Sequence, residues 1–422
     1  MLPLNARIAA PPIVLAAILA AILATMLASL ASCSRDGAIQ NVPREQLFTL
    51  GYGPAEDQID LFQVQGADGS KKTRMTMRDG VFYVANGPLA KVLRLSSYGD
   101  VLSIIYNPTK NGQQAIQGGR HSNPGRVSTA WPLSSPGEIA VDSTGTIYVE
   151  DRMPKDRQVS DPATGSLFDN VVLRFDRNGS YRDYLGQEGV GGTPFPYILG
   201  IYATASDDIV VVSIMQDSWL VHWFDSKGSL RNSLRIPRDA LPRLAGDTGF
   251  LASLEKIVPD SSGRAVILQV DYSREIIDPQ TKSRSGIDYA GSWLYRMDLL
   301  KGSITDRWEI PPLEERSTDP TAEGGGGSTN YPLVPELLGV AGERFFFVSI
   351  DDQSRTSIAI FNRANKGMER YPIDIGTDEL FFNTMSLSPE GVLSALLGSK
   401  YEARVVWWRF DKLGKQGAAA TR

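Results

Sequence analysis

From residue 73 onward, apolar and polar positions alternate in short runs, separated by clusters of Asp, Asn, Ser and Gly. Alternation with a period of two predicts strands, and the clusters predict the reversals between them. The clearest copy is Leu173-Arg174-Phe175-Asp176-Arg177-Asn178-Gly179, and Trp408-Arg409-Phe410-Asp411-Lys412-Leu413-Gly414 nearly repeats it. Gly accepts positive φ, and an Asp side chain can bond to the backbone of the turn it starts. Read this way, the chain falls into units at 73–106, 138–185, 197–236, 254–310, 336–373 and 384–410. The first five hold four strands each and the sixth holds three, while an unpaired strand is predicted earlier, at 58–65. No convincing amphipathic helix longer than a few turns follows residue 32.

Four-stranded units repeated in series predict an all-β chain built as a six-bladed β-propeller of antiparallel blades. The three-stranded last unit and the early unpaired strand predict closure by the N-terminal strand, which removes an open edge between first and last blades. A seven-bladed alternative would hide its extra blade in 107–137, where the Gly, Asn, Ser and Pro content speaks against one. The Tyr148-Val149-Glu150-Asp151 strand end and the Phe-Asp-x-x-Gly turns at Phe175 and Phe224 resemble the NHL and TolB-like six-bladed propellers. The resemblance runs over roughly 58–414 and is loose, because unit length varies and the third strand of unit four lies beyond a long insertion. The 47–62 region is similar to spirochaetal lipoproteins of this propeller type.

The first 32 residues differ in kind. Arg7 is their one charge, and 8–32 is apolar or small apart from Thr25 and two serines. Such a run is long enough to span a bilayer, but Leu30-Ala31-Ser32-Cys33 resembles the lipobox of bacterial lipoproteins. The resemblance implies a signal peptide over 1–32, lipidation (palmitate among the acyl chains) of Cys33, a tether over 33–56, the propeller over 57–414 and a flexible tail over 415–422. Cys33 is the sole cysteine, so no internal disulfide forms. Ser34 after it would favour the outer membrane of a double-membraned cell envelope over the inner one. Removing Arg7 takes the net charge from −5 to −6, and no dense basic run exists, so nucleic acid is not an expected partner.

Labelling strands a to d from the axis outward, the a–b and c–d turns are short in every unit. The long loops, at 107–137, 151–170, 237–253, 271–291 and 311–335, all fall among the b–c and d–a connections and so on one face. Long loops on a rigid scaffold are where binding residues usually sit. The tether enters on the opposite, short-turn face, so the long-loop face is expected to point away from the membrane. A polar residue recurs where strand b ends, at Asn86, Asp151, Asp217, Asp271 and Asp351. These could form a partial ring able to take Ca²⁺ through six to eight oxygens, or each could cap its own turn. With His121, Trp131, Arg152, Tyr272 and Asp352 they make up the candidate binding face.

Catalytic chemistry has little to work with. His121 and His222 are the only histidines, and His222 lies in a strand, so a zinc site of usual composition is not expected. No G-x-S-x-G elbow appears, and the glycines at 324–327 lack a phosphate-loop Lys. Arg94, Arg174, Arg296 and Arg409 recur near the end of strand c, where inter-blade pairing is expected. Trp407 and Trp408 should alternate between an exposed and a buried position. The expected function is that of a monomeric, membrane-anchored module binding a protein, peptide or envelope component through its long-loop face. A calcium-dependent hydrolase or lactonase and a purely structural envelope scaffold are the alternatives.

Overall fold

The computed structural model describes residues 41–62, 71–112, 125–162, 164–244, 249–261, 263–318, 328–351, 353–379 and 381–413, with side chains also omitted at 314–318 and 328–331. Cys33, His121, Asp352 and the 324–327 glycines lie outside these residues.

Six four-stranded antiparallel blades follow one another along the chain and form a β-propeller. Blade 1 is Thr73–Arg78, Val81–Asn86, Lys91–Leu95 and Val101–Tyr106; blade 2 is Ile139–Val141, Ile147–Arg152, Asn170–Phe175 and Tyr181–Gly186. Blade 3 is Tyr197–Ala203, Ile209–Ile214, Ser218–Phe224 and Leu230–Pro237; blade 4 is Phe250–Pro259, Ala265–Ile277, Arg284–Asp298 and Ser303–Glu309. Blade 5 is Glu336–Ala341, Arg344–Ile350, Thr356–Asn362 and Met368–Pro372; blade 6 takes Phe382–Leu387, Leu393–Gly398 and Glu402–Trp408 from the C-terminal end. Seven blades are not formed: within 107–137 the described residues give a four-residue helix, Pro108–Asn111, and a strand, Val127–Ala130, that lies parallel to the outer strand of blade 1.

Closure is by an N-terminal strand, but not by the one expected. Arg44–Tyr52 supplies strand d of blade 6, running antiparallel to Glu402–Trp408, and so lies inside what the sequence suggested was tether. Of the expected strand at 58–65, Gln58–Ile59 adds a short parallel pair outside it and 63–65 lie outside the described residues. The register slips between Gln46 and Phe48. This bulge breaks the alternation that would have marked the strand in the sequence.

Blades cohere because each has two apolar faces. Six buried clusters form, one at every junction between neighbours. Phe48 and Leu50 enter the cluster between blades 6 and 1, against Met75, Phe82, Leu93 and Val405. Trp408 is fully buried at the junction of blades 5 and 6, while Trp407 is half-buried and donates its indole N–H to Glu45 at 2.8 Å. The short turns close as their sequence predicts. Asp176 Oδ1 accepts from the N–H of Asn178 (2.8 Å) and Ser180 (2.9 Å), and Gly179 adopts φ +85°. Asp225 and Gly228 do the same in blade 3, with 3.0 and 2.9 Å bonds and φ +88°.

The strand-c arginines pair mainly within their own blades: Arg174 Nη2 with Asp183 at 2.6 Å, Arg296 Nε with Asp260 at 2.7 Å, Arg409 Nη2 with Asp411 at 2.7 Å. Arg94 and Arg174 reach the next blade only through long bonds to carbonyls, at 3.5 and 3.4 Å. A closer inter-blade link at this end is made by Arg363, whose Nη1 donates to buried Asp260 at 2.8 Å.

The closing strand is pinned by charge as well. Fully buried Glu379 accepts from Arg44 Nη2 at 2.6 Å and Arg404 Nη1 at 2.9 Å. Burial alone would push its carboxyl up, but Arg44, the Gly376 N–H and Arg404 hold it at about 2, below the usual carboxylate range. A depressed folded-state value means the stability is present above about pH 4.5 and is lost as pH falls towards 2. Glu379→Gln is expected to lose about 2–4 kcal/mol at pH 7. Urea unfolding of wild type and variant should show that gap narrowing between pH 4.5 and 2; a gap constant with pH would refute the role assigned to the charge.

Candidate functional site

Two features of the long-loop face come from the fold: the mouth of the axial channel and the rim around it. The six inner strands enclose a channel of about 690 Å³. Its wall mixes Met75, Met77, Ile201 and Val258 with Thr76, Thr384 and Ser386. Strand a starts on the long-loop face, so the first residues of these strands ring that mouth. There Arg74 of blade 1 meets Glu138 of blade 2 at 2.9 Å, and Lys256 of blade 4 meets Glu336 of blade 5 at 3.4 Å.

Lys72 ties three blades together at the same mouth. Its ammonium donates to Glu150 Oε2 at 2.9 Å and to the Ile198 carbonyl at 2.6 Å, and lies 4.3 Å from the centre of the Tyr197 ring. Glu150 Oε2 also accepts from the Glu138 N–H at 2.8 Å. Burial pushes the Glu150 carboxyl up from its ordinary value, and Lys72 pulls it back.

Of the two arrangements open to the strand-b polar residues, a ring lining the axial channel is not the one formed. Asn86, Asp151, Asp217, Asp271 and Asp351 do not line the channel, and each has local partners. Asn86 is buried and donates to the Asp60 carbonyl (2.7 Å) and Thr73 Oγ1 (2.8 Å), seating the N-terminal segment on blade 1. Asp151 accepts from the N–H groups of Ser134 (3.0 Å) and Ser135 (2.6 Å), so it caps the incoming d–a connection rather than its own turn. Burial pushes its carboxyl up to about 6 despite those bonds. Asp217 is exposed and pairs with Arg235 at 2.6 Å. Asp271 is part-buried and accepts from Gln269 Nε2 at 3.1 Å and from the Ser292 hydroxyl. Asp351 caps its own turn, accepting from the N–H groups of Gln353 (3.0 Å) and Arg355 (2.7 Å). Among the described residues no group of three or more His, Cys, Asp or Glu side chains is placed to hold a metal ion.

The remaining candidates are partly structural. Tyr272 is buried and its hydroxyl meets that of Tyr295 at 2.8 Å. Trp131 stacks on Tyr181 at 3.8 Å between ring centres. Arg152 is partly exposed, 3.7 Å from Asp169. His222 is packed between Phe195 and Phe224, and burial lowers its imidazole to about 4, which keeps it neutral at pH 7.

What sequence reasoning missed on this face is a projecting tongue. The expected loop at 271–291 is an extension of blade 4, whose strands b and c pair continuously from Ala265↔Asp298 out to Ile277↔Arg284. Strand a accompanies them as far as Phe250↔Arg274. The apolar Tyr272, Ile276 and Ile277 before the turn, and Ile287 and Tyr289 after it, were the available signal. Two smaller hairpins, Val159–Ser160 with Leu167–Phe168 and Leu313–Thr318 with Ser328–Leu333, stand on the same face.

Exposed apolar side chains follow this asymmetry. Among the described residues, Leu251, Ile276, Ile277 and Ile287 lie uncovered on the tongue, and Tyr197, Leu199, Ile350, Phe381 and Tyr401 elsewhere on the long-loop face. The short-turn face exposes Tyr98, Leu300 and, just past the turn, Ile304, while Val127 and Val190 are exposed on outer strands.

No protein-family model matches the chain. No curated protein matches it either. Solved structures do. A streptogramin B lyase aligns with 12% identity over 88% of this chain and 99% of its own, at a TM-score of 0.37. The polysaccharide lyase Uly1 aligns with 10% identity over 86% of this chain and 97% of its own, at a TM-score of 0.44. The β-propeller domain of the trilobed protease from Pyrococcus furiosus aligns with 7% identity over 81% of this chain and 96% of its own, at a TM-score of 0.40. Likeness at this level goes no further than the fold.

Lys72 offers a direct test of the channel mouth. Lys72→Met leaves a buried Glu150 carboxyl without its cation and is expected to cost about 3 kcal/mol in urea unfolding. Arg74→Met, at a partly exposed pair, should cost under about 1 kcal/mol. Equal small losses would show that Lys72 does not staple the blades.

Proposed function

We propose that this chain is a lipid-anchored binding module of a bacterial cell envelope, and that its long-loop face meets a protein partner. The observation that carries the reading is the grouping of uncovered Leu251, Ile276, Ile277 and Ile287 on the tongue, with further exposed apolar side chains on the same face. Apolar side chains gathered on one exposed projection are costly to leave in water and typically mark an interaction site. The tongue and the two smaller hairpins add projecting backbone on the same side. The channel mouth supports binding less well, since its charges already answer one another.

Anchoring would come from Cys33 in its lipobox-like setting, with a mature protein that begins there and acyl chains worth about 0.8 kcal/mol per buried CH₂. The closing strand begins at Arg44, opposite Trp408, which is its short-turn end. The stretch from Cys33 to Arg44 reaches at most about 40 Å when fully extended. An anchor there would set the short turns towards the membrane and the tongue away from it, in the outer membrane by the Ser34 criterion.

In cells that make the protein, Cys33→Ala should move it out of the detergent-free membrane pellet. A photo-crosslinking residue at Ile277 or Tyr401 should capture a protein, and one at Tyr98 or Leu300 should not. Retention of the variant in the membrane would remove the lipid anchor, and crosslinks confined to the short-turn positions would reverse the assignment of faces.

A further inference from the structure

The strongest unexplained feature of the molecule is the outer edge of the tongue. Strand d of blade 4 pairs with strand c only from Asp298 back to Trp293. One more bond follows, from the Ile310 N–H to the Ser292 carbonyl at 3.0 Å. Beyond it strand c continues to Arg284 with strand b on its inner side, and no described strand pairs with its outer side. An edge of this kind presents a row of backbone N–H and C=O groups with no protein partner, which templates the addition of another strand.

The other exposed edges are treated differently. Blades 1, 2 and 6 carry an extra short strand outside strand d. Blades 3 and 5 place charged residues on the outer strand, Arg231 and Arg235 in one and Glu369 and Arg370 in the other. The tongue edge reads Arg-Ser-Gly-Ile-Asp-Tyr-Ala-Gly from Arg284 to Gly291; it too carries charges, at Arg284 and Asp288, but it has no Lys or Pro and no further strand outside it among the described residues. Register shifts near Arg284 and near Gly291 bracket a regular stretch, Gly286 to Tyr289, opposite Ile276 to Ser273.

The register also fixes what lies on each side. Leu251, Ser273 and Tyr289 are successive cross-strand partners, and Glu275 faces Ile287, so Leu251, Ile287 and Tyr289 share one surface. Phe250, Arg274 and Asp288 share the other, where the Arg274 guanidinium lies 4.5 Å from the centre of the Phe250 ring. A strand laid along Gly286–Tyr289 would therefore meet Ile287 and Tyr289, with Glu275 opposite Ile287, on one flank, and Asp288 and Arg274, with Ile276, on the other.

We infer that the tongue receives an extended segment of the protein partner by strand addition along Arg284–Gly291. That segment would place apolar side chains at alternate positions beside Ile287 and Tyr289. Main-chain bonds would supply affinity, and the flanking side chains would supply selectivity. The inference deepens the reading of the long-loop face as a partner surface and rests on it.

The test uses the full chain and a random twelve-residue peptide library without cysteine. Enriched peptides should slow hydrogen exchange at the amides of 284–291 at least tenfold. Ile287→Lys should weaken their binding at least tenfold, while Tyr98→Lys on the short-turn face should leave it within twofold. Peptides that bind but protect other amides would overturn strand addition and leave the face intact as a binding surface. Failure to enrich any peptide would also overturn it, while the in-cell crosslinks judge the face separately. Concentration-dependent protection of 284–291 without peptide would overturn it in favour of pairing between two copies of this chain.

Discussion

Everything in this molecule depends on closing the ring. Strands such as Ile209–Ile214 are apolar along nearly their whole length because both faces of a blade are buried. A blade flanked on one side only would leave half of that surface in water. The six junction clusters therefore stand or fall together, and the one between blades 6 and 1 is built from the two ends of the chain. Tyr52 and Glu402, bonded there at 2.9 Å, are 350 residues apart. Joining ends that distant costs on the order of 5 kcal/mol of loop entropy. Burying Phe48 and Leu50 returns roughly 3–6 kcal/mol, which is the same size. That near balance leaves room for the further hold that Glu379 gives the closing strand through Arg44 and Arg404, a device repeated at blades 4 and 5, where buried Asp260 binds Arg296 and Arg363.

The channel follows from the same closure. Six inner strands converge on an axis, and whatever charges they carry are brought close in a partly desolvated mouth. Like charges would oppose assembly there, and the sequence answers with opposite ones on neighbouring blades: Arg74 beside Glu138, and Lys256 beside Glu336. Lys72 goes further by spanning blades 1, 2 and 3. Charges arranged in this way secure blade order. They leave the channel with little net field to attract a ligand of either sign.

How much of this was legible in the sequence depended on how local its cause was. The Asp-x-x-Gly reversals were legible because one Asp side chain and one Gly decide them, and Asp176–Gly179 behaves as its residues require. Blade number and the principle of closure followed from counting such units. The identity of the closing strand did not, because the bulge between Gln46 and Phe48 interrupts its period while 58–65 alternates cleanly. The tongue was hidden for a related reason: Asp271 and Gly291 look like strand ends, and the bulges near them are needed for the strands to continue. The channel mouth was out of reach, since Arg74, Glu138, Lys256 and Glu336 are neighbours only once the ring has closed.

The two faces differ in how they satisfy their backbone. On the short-turn face reversals such as 96–100, 176–180 and 225–229 meet their own needs, with an Asp or Ser oxygen accepting the turn's N–H groups and a Gly taking the positive φ. On the long-loop face the strands outrun their neighbours, so that strand c of blade 4 continues past the end of strand d. Backbone carried beyond its last partner must be met by water or by another chain. The isoleucines that accompany it are poorly suited to water. The outer strands of blades 3 and 5 are edges as well, but they lie against the body of their blades, whereas the tongue carries its open edge beyond the end of strand d and beside exposed Leu251 and Ile287.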